Sequence, residues 1–254
     1  MHSLFHPEDS EPPAPIEPVA IVFPSILGAE ISALSVGTRI AGDFYDSFRV
    51  NAERVLIGLL NVSSLAETNR SILATGKQIF RDIGTQLFSN PDINEAEAMT
   101  ELCVSLNRGL IQVSSGVHPC PAFIACYHER FGTLCYTNAG HTPALLRDAG
   151  GIAELGSTGL PLGLFSHATA DAPTVGVEKC AALLLVSHGV VESEGYGQQS
   201  AEKYGLERVK TLLQSATASS AATLCSSILT SVAEFGGQRP SSLDRTALAL
   251  LRTA

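Results

Sequence analysis

At 254 residues, with 45% hydrophobic and 16% charged side chains, the chain can bury a sizeable core in one large or two small domains. A formal net charge of -9, with no Lys/Arg run, excludes the basic footprint of a nucleic-acid binder or an anionic-membrane binder. No apolar run approaches the roughly 20 residues of a spanning helix, and the acidic N-terminus lacks the apolar stretch of a secretory signal.

Residues 1–18 mix Pro7, Pro12, Pro13, Pro15 and Pro18 with acids and read as a disordered leader. From Val19 the composition is apolar with no later linker, so one domain is expected over residues 19–254. Glu30–Leu34 and Ser47–Val50 read as short strands. Between them, Ala41-Gly42-Asp43-Phe44-Tyr45-Asp46 places two carboxylates three residues apart after a glycine. The bland reading is a turn entering a hairpin. The functional one is a buried carboxylate that must be paired, hydrogen-bonded or metal-bound.

Arg54–Val62 reads as an apolar strand running into Ser63-Ser64, either of which would cap the helix expected from about Leu65 to Phe88. Asn94, with Glu97 three residues on, opens a second helix to about Val113. Beyond His118-Pro119-Cys120-Pro121 the pattern turns to strands: Ala122–Tyr127, Leu134–Thr137, Ala144–Arg147, Thr174–Val177 and Ala182–Ser187. Helices over Glu202–Leu213 and Ala221–Phe235 and a strand over Thr246–Leu251 close the chain. Strands, helices, strands, then helices is the order of an α+β fold with antiparallel sheets. The six cysteines show no zinc spacing and read as core thiols of a reducing cytoplasm, although Cys126 and Cys135 could face each other across a hairpin.

Several segments in order resemble the SpoIIE-like branch of the PPM (type-2C) metal-dependent protein phosphatases. The family's Gly-Gly-Asp-Phe-Tyr-Asp is matched by residues 41–46, and its Asp-Val-Ser-Gly-His-Gly by Asn61-Val62-Ser63-Ser64-Leu65-Ala66. Asn-Ala-Gly-His-x-Pro stands intact as Asn138 to Pro143, and Gly-x-Pro-Leu-Gly as Gly159 to Gly163. Tyr-Thr-Asp-Gly-x-x-Glu becomes Val186-Ser187-His188-Gly189-Val190-Val191-Glu192, Tyr204 to Arg208 match Phe-Gly-x-Glu-Arg, and the closing Asp-Asp-x-Thr becomes Leu243-Asp244-Arg245-Thr246.

The resemblance implies a four-layer α/β/β/α sandwich of two antiparallel sheets flanked by helices. It also implies two Mn²⁺ or Mg²⁺ ions held by acids at positions that fall here on Asp43, Asn61, His188 and Leu243. Only Asp43 keeps its carboxylate, Asn61 replaces the one that bridges both ions, and Ser64 replaces a glycine whose carbonyl contributes. Hard divalent ions need oxygen ligands, chiefly carboxylates, so the replacements imply a pseudophosphatase that binds without hydrolysis. The alternative is a working phosphatase with a site rebuilt from Asp43, His188 and Asp244. Asp46 reads as a local pairing residue, and His141 as the fixer of its Gly140 turn. The motif glycines Gly42, Gly159, Gly163 and Gly189 complete the set. The implied partner is a phosphoserine or phosphothreonine protein, such as an anti-sigma-factor antagonist in bacterial partner switching.

Overall fold

The computed structural model describes residues 23–37, 42–62, 66–114, 116–167, 169–196, 202–216, 220–237 and 243–253. The expected leader and the capping serines Ser63 and Ser64 lie outside the described residues. In chain order the elements are β1 (Ala29–Val36), β2 (Gly42–Arg49), β3 (Arg54–Val62), α1 (Ala66–Phe88), α2 (Glu95–Val113), β4 (Ala122–His128), β5 (Thr133–Ala139) and β6 (Ala144–Asp148). They continue with β7 (Gly151–Leu155), β8 (Thr174–Gly176), β9 (Ala182–Val186), α3 (His188–Val191), α4 (Gly205–Ser215), α5 (Ala221–Gly236) and β10 (Arg245–Arg252).

Two five-stranded antiparallel sheets result, ordered β1-β10-β9-β6-β7 and β2-β3-β4-β5-β8. Strict alternation sorts the side chains of the second sheet. Val55, Ile57 and Leu59 of β3 enter the core between the sheets, with Phe123 and Tyr127 of β4 and Leu183 and Leu248 of the first sheet. Leu56 and Leu60 face the other way, onto Phe80 of α1 and Leu102 and Leu106 of α2. The first sheet packs Leu184 and Ala249 against Val209 of α4 and Ile228 of α5. This is the expected α/β/β/α sandwich. Strands buried on both faces explain why β3, β4 and β9 read as near-continuous apolar runs.

Two local expectations need correction. The Asp43–Asp46 motif does not form a turn: it lies inside β2, which starts at Gly42 rather than near Ser47. β7, which pairs with β6 across a short Asp148–Gly151 turn, carries no apolar alternation that would have announced it. The Asn94 cap holds as expected, its side chain accepting from the backbone N–H groups of Ala96 and Glu97. Cys126 and Cys135 do sit opposite each other in the β4–β5 register; both are buried free thiols, and burial pushes the Cys135 thiol up to about 11.

Candidate functional site

Asp43 and Asp46, three residues apart on one strand, point to opposite faces of the sheet. Asp46 turns toward α1, where both its oxygens meet Arg81, Nε to Oδ2 at 2.6 Å and Nη2 to Oδ1 at 2.7 Å. Arg81 also lies over the Phe48 ring, 5.1 Å from its centroid. Asp46 is therefore a fastening between β2 and α1, through a partner 35 residues away rather than a local one.

Asp43 turns the other way, into the end of the gap between the sheets. Asn61 stands beside it in the β2–β3 register and donates its amide Nδ2 to Oδ1. The Thr246 hydroxyl donates to Oδ2 at 2.7 Å and itself contacts Ser35 Oγ at 2.9 Å. The Ser187 hydroxyl is within reach of both the Asp43 carboxyl and, at 3.2 Å, the Asp244 carbonyl, while accepting from Thr246 N at 2.9 Å. Asp244 approaches from β10, its Oδ2 3.4 Å from the backbone N of Asp43. Burial pushes the Asp43 carboxyl up to about 7, and the charge of Asp244 adds to the rise against the lowering effect of these donors. Ser187 and Thr246 lay inside the quoted motifs, but only the two-sheet geometry reveals them as donors to Asp43.

His141 is buried on the sheet-crossing turn that follows β5. Its backbone N–H donates to Asn138 Oδ1 at 2.7 Å, and its Nδ1 lies 3.0 Å from the Thr142 carbonyl. A carbonyl only accepts, so Nδ1 carries the hydrogen and Nε2 keeps its lone pair. Burial pushes this imidazole down to about 4, and nearby His188 adds to the drop. Nε2 of His141 and Oδ1 of Asn61 are two buried acceptors with no donor among the described residues. Asn138 holds the turn together, donating Nδ2 to the Leu155 carbonyl at 3.1 Å and accepting at its own carbonyl from Thr158 and Gly159.

The motif glycines serve close approach. Gly140 has φ +69°, and a Cβ there would lie 2.6 Å from Pro161 Cγ. At Gly189 a Cβ would lie 2.0 Å from the Asp244 carbonyl oxygen, so only glycine lets α3 rest on that segment. Gly42, Gly159 and Gly163 are packed in the same way against Leu73, Ala170 and His118. His188, at the first position of α3, is exposed. The structure thus gathers Asp43, Asn61 and Asp244, and leaves Asp46 and His188 outside that group. Among the described residues no set of three or more His, Cys, Asp or Glu side chains is arranged to hold a metal ion.

A family model for Stage II sporulation protein E (SpoIIE) matches residues 70–253. The chain belongs to the SpoIIE family. In structure it is similar to the RsbU and RsbW domains of a Mycobacterium tuberculosis protein, with TM-score 0.73, 21% identity, and coverage of 91% of this chain and 62% of that one. It therefore spans less than two-thirds of that relative. The SiaA-PP2C domain of Pseudomonas aeruginosa matches with TM-score 0.69 and 16% identity, over 89% of this chain and 86% of that one. The PP2C phosphatase domain of SpoIIE from Bacillus subtilis, with a fragment of its regulatory domain, matches with TM-score 0.69 and 11% identity, over 88% and 63%. At these identities the likeness is one of fold. No curated protein matches the sequence.

The PPM phosphatase fold implies a pair of divalent ions, and the residues of this SpoIIE-family chain do not fit a pair. Two ions bring four positive charges, against which the site sets the carboxylates of Asp43 and Asp244. Asn61 aims an N–H donor, not a carboxylate oxygen, at Asp43. Both Asp43 oxygens already accept hydrogen bonds from protein donors. Two cations close together in low dielectric repel by several kcal/mol, against which the described residues set only these two carboxylates.

Proposed function

We propose that this SpoIIE-family chain is a pseudophosphatase: it keeps the phosphatase fold and binds a protein partner in bacterial partner-switching signalling without hydrolysing a phosphoester. The observation that carries this reading is the Asn61 amide donating to Asp43 where the family bridges two ions with a carboxylate. Metal-assisted phosphoryl transfer needs the ions to activate water and neutralise the phosphoryl oxygens. A carboxylate saturated by Asn61, Thr246 and Ser187 supplies neither. The partner class inferred is a phosphoserine or phosphothreonine protein of the anti-sigma-factor-antagonist kind. The relative whose structure joins RsbU and RsbW domains supports a regulatory setting.

The alternative, a phosphatase rebuilt on Asp43, His188 and Asp244, draws support from the orphaned acceptors on Asn61 and His141. One experiment separates the two. Chelator-stripped protein is titrated calorimetrically with Mn²⁺ and then assayed on p-nitrophenyl phosphate and a phosphoserine peptide. The pseudophosphatase reading expects no tight Mn²⁺ binding and no turnover. Turnover that disappears in both Asp43→Ala and His188→Ala would establish the rebuilt enzyme instead.

A further inference from the structure

Two stretches of this acidic chain hold no acid and no base. Residues 109–128 and 155–170 contain none of its 25 Asp and Glu residues and none of its 16 Lys and Arg residues. The fold lays a loop of the second stretch against the first. Cys120 and Leu162 exchange backbone hydrogen bonds, at 2.7 Å from Cys120 N and 3.1 Å from Leu162 N. Buried Asn107 of α2 donates Nδ2 to the Phe165 carbonyl at 2.9 Å and accepts from Gly163 N at 2.8 Å. At Gly163 a Cβ would lie 2.5 Å from the His118 carbonyl oxygen, so the two loops touch there through their backbones.

The surface these loops share is apolar. Eight large hydrophobic side chains are exposed among the described residues, and four of them stand on these two stretches: Val113 at the end of α2, Val117, Leu160 and Phe165, from 38% to 67% exposed. Val117 adjoins His118 and Phe165 lies two residues past Gly163, so both flank the contact between the loops. Their backbone is anchored by Asn107 and by the Cys120–Leu162 pair. Apolar surface gains by leaving water in proportion to its area, and a cluster of this kind marks an interface. Charge says which protein covers it. A partner drawn to a chain of net charge -9 is basic, and finds no carboxylate to pair with on these stretches. A second copy carries the same -9 and is repelled wherever acids face acids. On these stretches two copies can close without opposing carboxylates.

We propose that the face carrying Val113, Val117, Leu160 and Phe165 is where a second copy of this chain docks, in an isologous dimer. In a two-fold contact one patch serves both partners, so the valines of one copy can meet Leu160 and Phe165 of the other, and each residue is used twice. A centre depleted of charge, with an aromatic anchor, is the composition such an interface needs. Leu160 adjoins Pro161, which packs against Gly140 beside His141, so the face runs up to the end of the sandwich that holds the candidate site. The dimer goes beyond the pseudophosphatase reading and does not depend on it. Self-association is read on the chain alone, without partner, phosphate or metal.

The test is sedimentation velocity on the full chain, from about 1 μM to about 100 μM, at low and at high sodium chloride. A dimer that dissociates on dilution is expected. It is expected to tighten with salt, which screens the repulsion between two acidic chains and leaves the apolar contact in place. Phe165→Asp puts a carboxylate into the face from each copy and is expected to weaken the dimer by roughly a hundredfold or more. Val117→Asp is expected to act in the same direction from the other loop. Phe131→Asp adds the same charge at a comparably exposed aromatic between β4 and β5, and is expected to leave the dimer intact. The circular dichroism spectra of all three variants are expected to match the wild type, so that a lost dimer reports on the face and not on the fold. A monomer at every concentration overturns the second copy as occupant and leaves the pseudophosphatase reading untouched. A dimer that survives both Phe165→Asp and Val117→Asp, or that Phe131→Asp abolishes instead, overturns this face. A dimer that weakens as salt rises is held by ion pairs and overturns the charge argument.

Discussion

Replacing Asp43 by Asn tests whether this carboxyl lives without a compensating cation. Its folded value, about 7, lies above its ordinary value of 3.8, so the folded protein holds the proton more tightly than the unfolded chain. The sign follows: stability is retained at acid pH and is lost as pH rises from about 4 through about 7. At about 1.36 kcal/mol per pH unit, the full loss above pH 7 is about 4 kcal/mol, a ceiling because the residue is half-buried and its rim meets solvent. Between about pH 5 and about pH 8 the part remaining is about 3 kcal/mol. Asn has nearly the same shape and no proton to lose. Its amide can be met by the Thr246 hydroxyl, which can turn to accept because Ser35 and Asp43 already share it. Denaturant unfolding in chelator at the two pH values should therefore show Asp43→Asn gaining about 3 kcal/mol on the wild type from acid to alkaline conditions. A constant difference, or a variant that loses ground as pH rises, would refute the reasoning. So would Mn²⁺ restoring the wild type at alkaline pH, since that is the behaviour of a filled metal centre.

Three other outcomes follow from the same geometry. His141 has a folded value of about 4, below its ordinary 6.5, so its contribution is present above about pH 6.5 and is lost toward pH 4. The wild type should lose up to about 3 kcal/mol more than His141→Gln over that acid limb, measured by urea unfolding. Gly189→Ala drives a Cβ to 2.0 Å from the Asp244 carbonyl, a backbone atom that cannot step aside; about 3 kcal/mol of destabilisation is expected from overpacking, and a neutral result would show that α3 can lift. Arg81→Ala leaves Asp46 buried without its cation and should remove about 3 kcal/mol, a loss that Asp46→Asn in the same background should partly recover if the buried charge is the cause.

How much could be read from the sequence depended on the kind of information each feature carries. Element order and type were legible wherever a period or a cap was strong: β3 begins and ends where its apolar run does, and α2 starts after Asn94. β7 escaped because Gly151-Ile152-Ala153-Glu154-Leu155 is an edge strand whose middle faces solvent. At the site, the identity of the replaced residues was legible but their directions were not. Asp-x-x-Asp means one thing on a turn and another on a strand, where an odd spacing sends the two carboxylates to different layers. Besides Asn61, the donors to Asp43 are Ser187, just past β9, and Thr246 of β10, both more than 140 residues downstream of it.

The same topology explains why losing carboxylates need not cost the fold. In this site Ser35 of β1, Thr246 of β10 and Ser187, just past the end of β9, form one row at the end of the first sheet. Asp43 and Asn61 form the facing row on the second. A metal pair between such rows would tie the sheets together by charge; here hydroxyl and amide hydrogen bonds onto one carboxyl do it, each worth about 0.5 to 1.5 kcal/mol net and more where the acceptor is ionised. Once such bonds close the gap, selection on the sandwich no longer requires ions. Asn61 can then persist as a residue that closes the gap through its amide.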